Sequence, residues 1–139
     1  MSQATHTIRT VAAVILDDQQ RVLVVRKHGS STFIQPGGKR ATGEDSLTTL
    51  ARELDEELGV ALDRSSARRL GEFQAGAVNE PGFTVSGEAF LVSVTGMPLA
   101  AAEIAELTWI AIDPAADFPL APLSRQHILP AARAALGLA

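Results

Sequence analysis

Residues 7–16, TIRTVAAVIL, end on six consecutive apolar positions and are rich in β-branched side chains, and they read as a strand. DDQQ then reads as a hairpin turn, and RVLVVRK (Arg21–Lys27) returns as a second strand. From Gly29 to Asp45 the sequence is loop-like, with at most a short strand near Phe33. The period then changes. SLTTLARELDEEL (Ser46–Leu58) is built from helix formers, with Asp45 as the expected N-cap and Gly59 as the stop. Further strands are expected over 69–78, 83–94 and 107–112, and a last helix over 124–136. Asn79-Glu80-Pro81-Gly82 reads as the turn between two of these strands. Strands alternating with helices predict an α/β class, with a mixed sheet between helices.

On the helix over 46–58, about 100° of rotation per residue separates two stripes. With Glu53 at zero, Leu47, Leu50, Leu54 and Leu58 lie between about +60° and +140°. They are expected to face the sheet, and Leu54, Val60 and Trp109 to join the core. Glu56 and Glu57 lie at about −60° and +40°, beside Glu53, while Asp55 points elsewhere. Like charges three and four apart repel on a helix surface. Plain solvation accounts for an ordinary acidic face. It does not account for three carboxylates converging beside a buried stripe. A divalent cation does, and oxygen-rich sites suit Mg²⁺ or Mn²⁺.

Composition narrows the chemistry. A chain of 139 residues suits one domain, here residues 1–139 with 1–6 as a tail. There is no cysteine, which excludes disulfides, thiol catalysis and thiolate metal sites. A net charge of −4 offers no global basic surface for a nucleic-acid polymer. Neither a signal peptide nor a membrane-length apolar run is visible, so a cytoplasmic location is expected. His6, His28 and His127 form no recognisable triad with a serine and read as surface residues.

The flanks of the acidic helix carry a longer pattern. Gly38, Glu44, Arg52, Glu53, Leu54, Glu56, Glu57, Gly59 and Val60 fill all nine fixed positions of G-x5-E-x7-R-E-U-x-E-E-x-G-U, where U is a bulky aliphatic. In this pattern the chain resembles the Nudix hydrolases. The resemblance implies an α/β/α sandwich, a site for Mg²⁺ or Mn²⁺, and hydrolysis of a nucleoside diphosphate linked to another moiety. It implies metal ligation by Glu53, Glu56 and Glu57, with Gly38 contributing a backbone carbonyl where Gly37 and Gly38 turn tightly. Arg52 is expected to orient a carboxylate. Glu44 is read either as a supporting or secondary metal residue or as a charge favouring the helix N-terminus. The general base is Glu53 or an acid of a later loop, Glu103 or Glu106. Metal ions lower the pKa of bound water, and a carboxylate takes its proton.

Substrate contacts are less constrained. Arg26, Lys27 and Lys39 could each meet phosphates, and the resemblance favours Arg26 and Lys39. Phe33 either lines a base pocket or packs. A nucleoside triphosphate cleaved to monophosphate and pyrophosphate is the expectation. ADP-ribose, a nucleotide sugar and a dinucleotide polyphosphate stay open, as does a non-catalytic nucleotide-binding Nudix module. A small-molecule nucleotide is the expected partner, with a homodimer as an open alternative.

Overall fold

A computed structural model describes residues 6–78 and 80–138. The elements run β1 (His6–Ile15), β2 (Arg21–Lys27), β3 (Gly37–Lys39), α1 (Ser46–Leu58), β4 (Ala61–Gly76), β5 (Phe83–Thr95), β6 (Ile104–Ala111) and α2 (Leu129–Ala135). A π-helical turn over Ser124–Ile128 leads directly into α2. The expected tail over 1–6 lies outside the described residues except for His6, which opens β1 rather than lying in a tail.

β1 and β2 organise the molecule because they are apolar on both faces. Val11, Ala13, Ile15, Leu23 and Val25 face one core, with Leu50, Leu54 and Leu58 of α1. The alternate residues Ala12, Val14, Val22 and Val24 face a second core, with Ile128, Leu129 and Ala132. Strands buried on both sides need a helix layer on each, so a continuous apolar run here implies a sandwich rather than a one-faced sheet. The result is an α/β/α arrangement around a mixed sheet ordered β3-β1-β5-β4, with β2 and β6 paired in a second, two-stranded sheet. β1 and β5 run parallel, while β3 and β4 join antiparallel.

Several expectations are corrected. DDQQ does turn tightly, with the Gln20 N–H donating to the Asp17 carbonyl at 3.1 Å. Only Leu16 and Val22 pair across it, and the two strands then enter different sheets. Hydrophobic pattern reports burial, not partner, and these runs are satisfied by any neighbour that covers both faces. The loop before the helix contains β3, which pairs Gly37 to Lys39 with Ala12 to Thr10. β4 starts eight residues before the expected position, directly after α1. Irregularities between Asp63 and Arg68, and between Arg69 and Gly71, break its alternation. It is a charged edge strand whose bulges hide the period-two signal. Trp109 is half-buried and packs against the α1-side core.

The helix ends follow the sequence closely. Asp45 caps α1 by accepting the Thr48 N–H at 2.7 Å, and Gly59 closes it in a left-handed conformation at φ 67°. The last helix is widened at its start because Pro130 lacks an N–H and its ring excludes the regular bond to the Gln126 carbonyl. The Leu129 N–H reaches back to the Ser124 carbonyl instead. Glu80, Pro81 and Gly82 turn as expected, with the Phe83 N–H bonded to the Glu80 carbonyl; Asn79 of that turn lies outside the described residues. Among the described residues no helix is long and apolar enough to cross a membrane.

The stripe on α1 sets a stability expectation. Leu54 is fully buried, whereas Leu47 is only partly so. Leu54→Ala is expected to cost ~2–5 kcal/mol in urea unfolding, and Leu47→Ala less than half as much. Equal costs would mean that the helix does not present this face to the sheet.

Candidate functional site

Three segments converge where β3 meets α1. β3 runs under the helix, so Gly37 and Gly38 lie against the side chains of Glu57 and Glu53. The Gly37 N–H donates to Glu57 Oε1 at 3.2 Å. Gly37 has φ 147°, and a Cβ there would collide with the Val11 carbonyl oxygen. A Cβ on Gly38 would overlap the Glu53 carboxylate. Both glycines are therefore required by close approach, one to backbone and the other to a site carboxylate.

The carboxylates differ in environment. Glu57 is only 2% exposed although it is an acid with one N–H partner. Burial pushes its pKa up to about 8; the Gly37 N–H opposes this, while the Glu53 charge adds to it. Burial also raises Glu53, against the pull of the neighbouring Arg52. Glu56 faces outward, half exposed, 3.5 Å from Arg52. Arg52 also reaches Glu53 at 3.1 Å and grips Glu44 with two nitrogens, at 3.1 and 3.0 Å. The Arg52 guanidinium and the Thr49 hydroxyl hold the Glu44 carboxyl below its usual range. Arg52 thus pairs with three carboxylates. Glu44 is its anchor, since both Glu44 oxygens are committed to Arg52 and one of them also accepts from Thr49.

Glu53, Glu56 and Glu57 share one stretch of α1 without being drawn to a single point. Among the described residues no three His, Cys, Asp or Glu side chains meet closely enough to hold an ion as they stand. Like charges separate unless a cation holds them together, and Arg52 occupies the space between Glu53 and Glu56. The chemistry of the set still fits a divalent cation. Two acids held in partly desolvated positions, both with raised proton affinity, are stabilised by a positive charge brought between them.

Beside Gly37 and Gly38 a cavity opens between β1, β3, the β4–β5 turn and the last helix. Its walls are aliphatic, including Ile8, Val11, Ile34, Val85 and Leu123, while Lys27, Lys39 and Glu80 are the charged residues lining it. Lys39 pairs with Glu80 at 3.4 Å. Lys27 lies close enough to Glu57 to oppose its pKa rise and pairs with Glu103 at 3.5 Å. The expected phosphate contact Arg26 is turned away. It bonds Glu106 at 3.1 Å and the Ser30 carbonyl at 2.9 Å, outside the cavity lining. Lys27 lines the cavity and Arg26 does not, at a step where the β2–β6 register is irregular. Glu106 is engaged by Arg26 in that exposed pair, whereas Glu103 is near enough to raise Glu53 and Glu57. Phe33 is buried in the second core against Phe118, with ring centroids 5.1 Å apart, and does not line the cavity. Gln35 and Ser124, both buried, do line it and carried no sequence signal.

Residues 6–131 match the family model described as NUDIX domain. The chain belongs to the Nudix family. As a Nudix hydrolase it acts on a nucleoside diphosphate linked to another moiety. The MutT NUDIX hydrolase from Burkholderia pseudomallei superposes with a TM-score of 0.73 at 25% identity, over 87% of this chain and 95% of that one. The ORF135 protein of E. coli superposes with a TM-score of 0.75 at 28% identity, over 94% and 91%. A UDP-X diphosphatase matches with a TM-score of 0.75 at 22% identity, over 99% of this chain and 66% of that one, a likeness that shows the fold alone. No curated protein sequence matches the chain.

Proposed function

We propose that this Nudix hydrolase cleaves a nucleoside triphosphate to a monophosphate and pyrophosphate, with Mg²⁺ or Mn²⁺ held by Glu53, Glu57 and, after movement, Glu56. The observation that carries the reading is one continuous site. An aliphatic cavity with Lys27 and Lys39 in its lining ends at the two glycines that touch Glu57 and Glu53. A base fits the apolar part, a polyphosphate the cationic part, and the anhydride then lies beside the carboxylates. When bound, the cation neutralises phosphate charge and lowers the pKa of water.

The chain's own residues supply the rest. Glu44 and Arg52 hold Glu53 in place, and Gly37 holds Glu57. Lys27 and Lys39 bind phosphate oxygens. A carboxylate takes the proton of the attacking water, and Glu53 and Glu103 are the candidates, since Glu106 is paired elsewhere. Water adds to one phosphorus of the anhydride, the bridging P–O bond breaks, and pyrophosphate leaves.

A panel of nucleoside triphosphates, ADP-ribose, nucleotide sugars and dinucleotide polyphosphates, assayed with Mg²⁺ for monophosphate release, tests the substrate. A kcat/KM for any of the latter three well above every triphosphate would overturn it. Lys27→Ala is expected to raise KM for the preferred substrate about tenfold, the loss of roughly one charge-assisted contact. Arg26→Ala should move it much less. The reverse order would place the phosphates on the other side of β2.

A further inference from the structure

Gln35 sits where β3 begins, at the inner wall of the cavity, only 5% exposed. Its amide nitrogen Nε2 donates to the Ala13 carbonyl at 3.0 Å. A carbonyl can only accept, so the NH₂ group must face Ala13, and the orientation of the amide is settled by its partner. The other end, Oε1, has no hydrogen-bond partner among the described residues. Among the described residues it is the one buried side-chain polar atom left in that state. Buried acceptors are almost always paired, and an orphan calls for a reason. Gln35 lines the cavity, whose other walls are mainly aliphatic, and a donor brought there by a ligand would satisfy Oε1 once a small shift of the wall uncovers it.

We propose that Gln35 is a specificity-determining residue whose Oε1 accepts a hydrogen bond from the exocyclic amino group of the substrate's base. This deepens the nucleotide reading above and rests on it. Gln35 lies two residues before Gly37, so a base against it is within a nucleotide's length of the carboxylates. The cavity lining contains no aromatic ring to grip every base alike, so the orphan acceptor becomes the feature that distinguishes them. An amino-bearing base satisfies Oε1. A base with a carbonyl in the same place sets two acceptors against each other, with one Gln35 N–H already donated to Ala13. Sites built to bond a polar group reject the analogue that lacks it far more strongly than an apolar pocket rejects a change of size.

Cytidine and uridine nucleotides form the probe, because they share ring, sugar and phosphate and differ at C4, amino against carbonyl, and at the adjoining N3, acceptor against N–H. Two measurements are made on the full chain: equilibrium binding of CMP and UMP, and kcat/KM for CTP and UTP with Mg²⁺. The wild type is expected to prefer the cytidine member at least tenfold in both. Gln35→Leu and Gln35→Met are expected to bring the ratio to within about twofold, chiefly through weaker cytidine binding. The ratio within one protein does not depend on how much of that protein is folded, so a loss of stability cannot imitate this result. A wild-type preference that survives in both variants overturns the proposal, and so does a wild type that binds the pair equally. If CTP and UTP are hydrolysed without a Gln35-dependent ratio, the hydrolase reading stands and the Gln35 assignment falls. If CMP is preferred through Gln35 but no triphosphate is cleaved, the assignment stands and the triphosphate reading falls.

Discussion

Glu57→Gln is expected to lower Mg²⁺-dependent kcat/KM by ~10²-fold or more, the scale of losing a group that positions reacting atoms, while leaving the fold intact. The amide keeps the shape of the side chain and can still accept the Gly37 N–H, but it brings no charge to a cation. The same substitution should change how the metal-free protein responds to pH. Glu57 has its folded pKa raised from 4.5 to about 8. The folded chain therefore keeps a proton that the unfolded chain releases across that interval. Its stabilising contribution is complete below about pH 4.5 and is lost as pH rises through 8, so stability in chelator falls with rising pH. The slope from this group is at most ~1.4 kcal/mol per pH unit. Glutamine does not titrate, so Glu57→Gln should flatten the slope and exceed the metal-free wild type in stability above pH 8. Mg²⁺ should flatten it in the wild type too, by binding the folded carboxylate. Urea midpoints from pH 5 to 9, with chelator and with Mg²⁺, check this. An unchanged slope in Glu57→Gln would mean that Glu57 is not the buried acid responsible.

The two glycines of β3 should respond differently to the same added methyl group. In Gly37→Ala the Cβ meets the Val11 carbonyl oxygen on the central strand, and φ of 147° is strained for any L side chain. Neither the backbone nor the strand register can yield cheaply. The expected cost exceeds ~4 kcal/mol, the range reserved for core disruption, and the variant should be largely unfolded. In Gly38→Ala the collision is with the end of the Glu53 side chain, which can rotate away. The fold should survive with a stability loss of ~1–2 kcal/mol. Activity should fall ~10²-fold because Glu53 no longer stands where the anhydride lies. Circular dichroism and kcat/KM on both variants separate the cases. A folded and active Gly38→Ala would remove Glu53 from the site.

The helix was legible in the sequence in detail, because its signals are local. A cap, a glycine stop and a 3.6-residue stripe act within a few residues of one another, and Asp45, Gly59, Leu50, Leu54 and Leu58 all take the roles their order implies. The nine-position pattern around it identified the family for a related reason, since most of its members lie on one helix and the loop before it. The strands were legible as buried segments but not as partners. β1 and β2 look like a hairpin because they are adjacent in sequence, and they part because each is apolar on both faces and both need cover. β3 carries no hydrophobic signal, since its role is to bring Gly37 and Gly38 under α1.

The sequence by itself determined which residues stand together along the chain: three acids on one helix, an arginine beside them, and a glycine turn before them. Only the tertiary structure decided how those residues are used. It buries Glu57 and leaves Glu56 outside, because the helix meets β3 on one flank alone. It sets Lys27 in the cavity lining and ties Arg26 to Glu106 and the Ser30 carbonyl, a choice made by pairing with β6 and not by side-chain type. It places Phe33 in the core, one of the two roles open to it, and buries the polar Gln35 at the cavity wall. Side-chain type is a local property, while burial and facing are set by contacts between segments far apart in the chain, and those contacts decide which polar atom is left for a ligand.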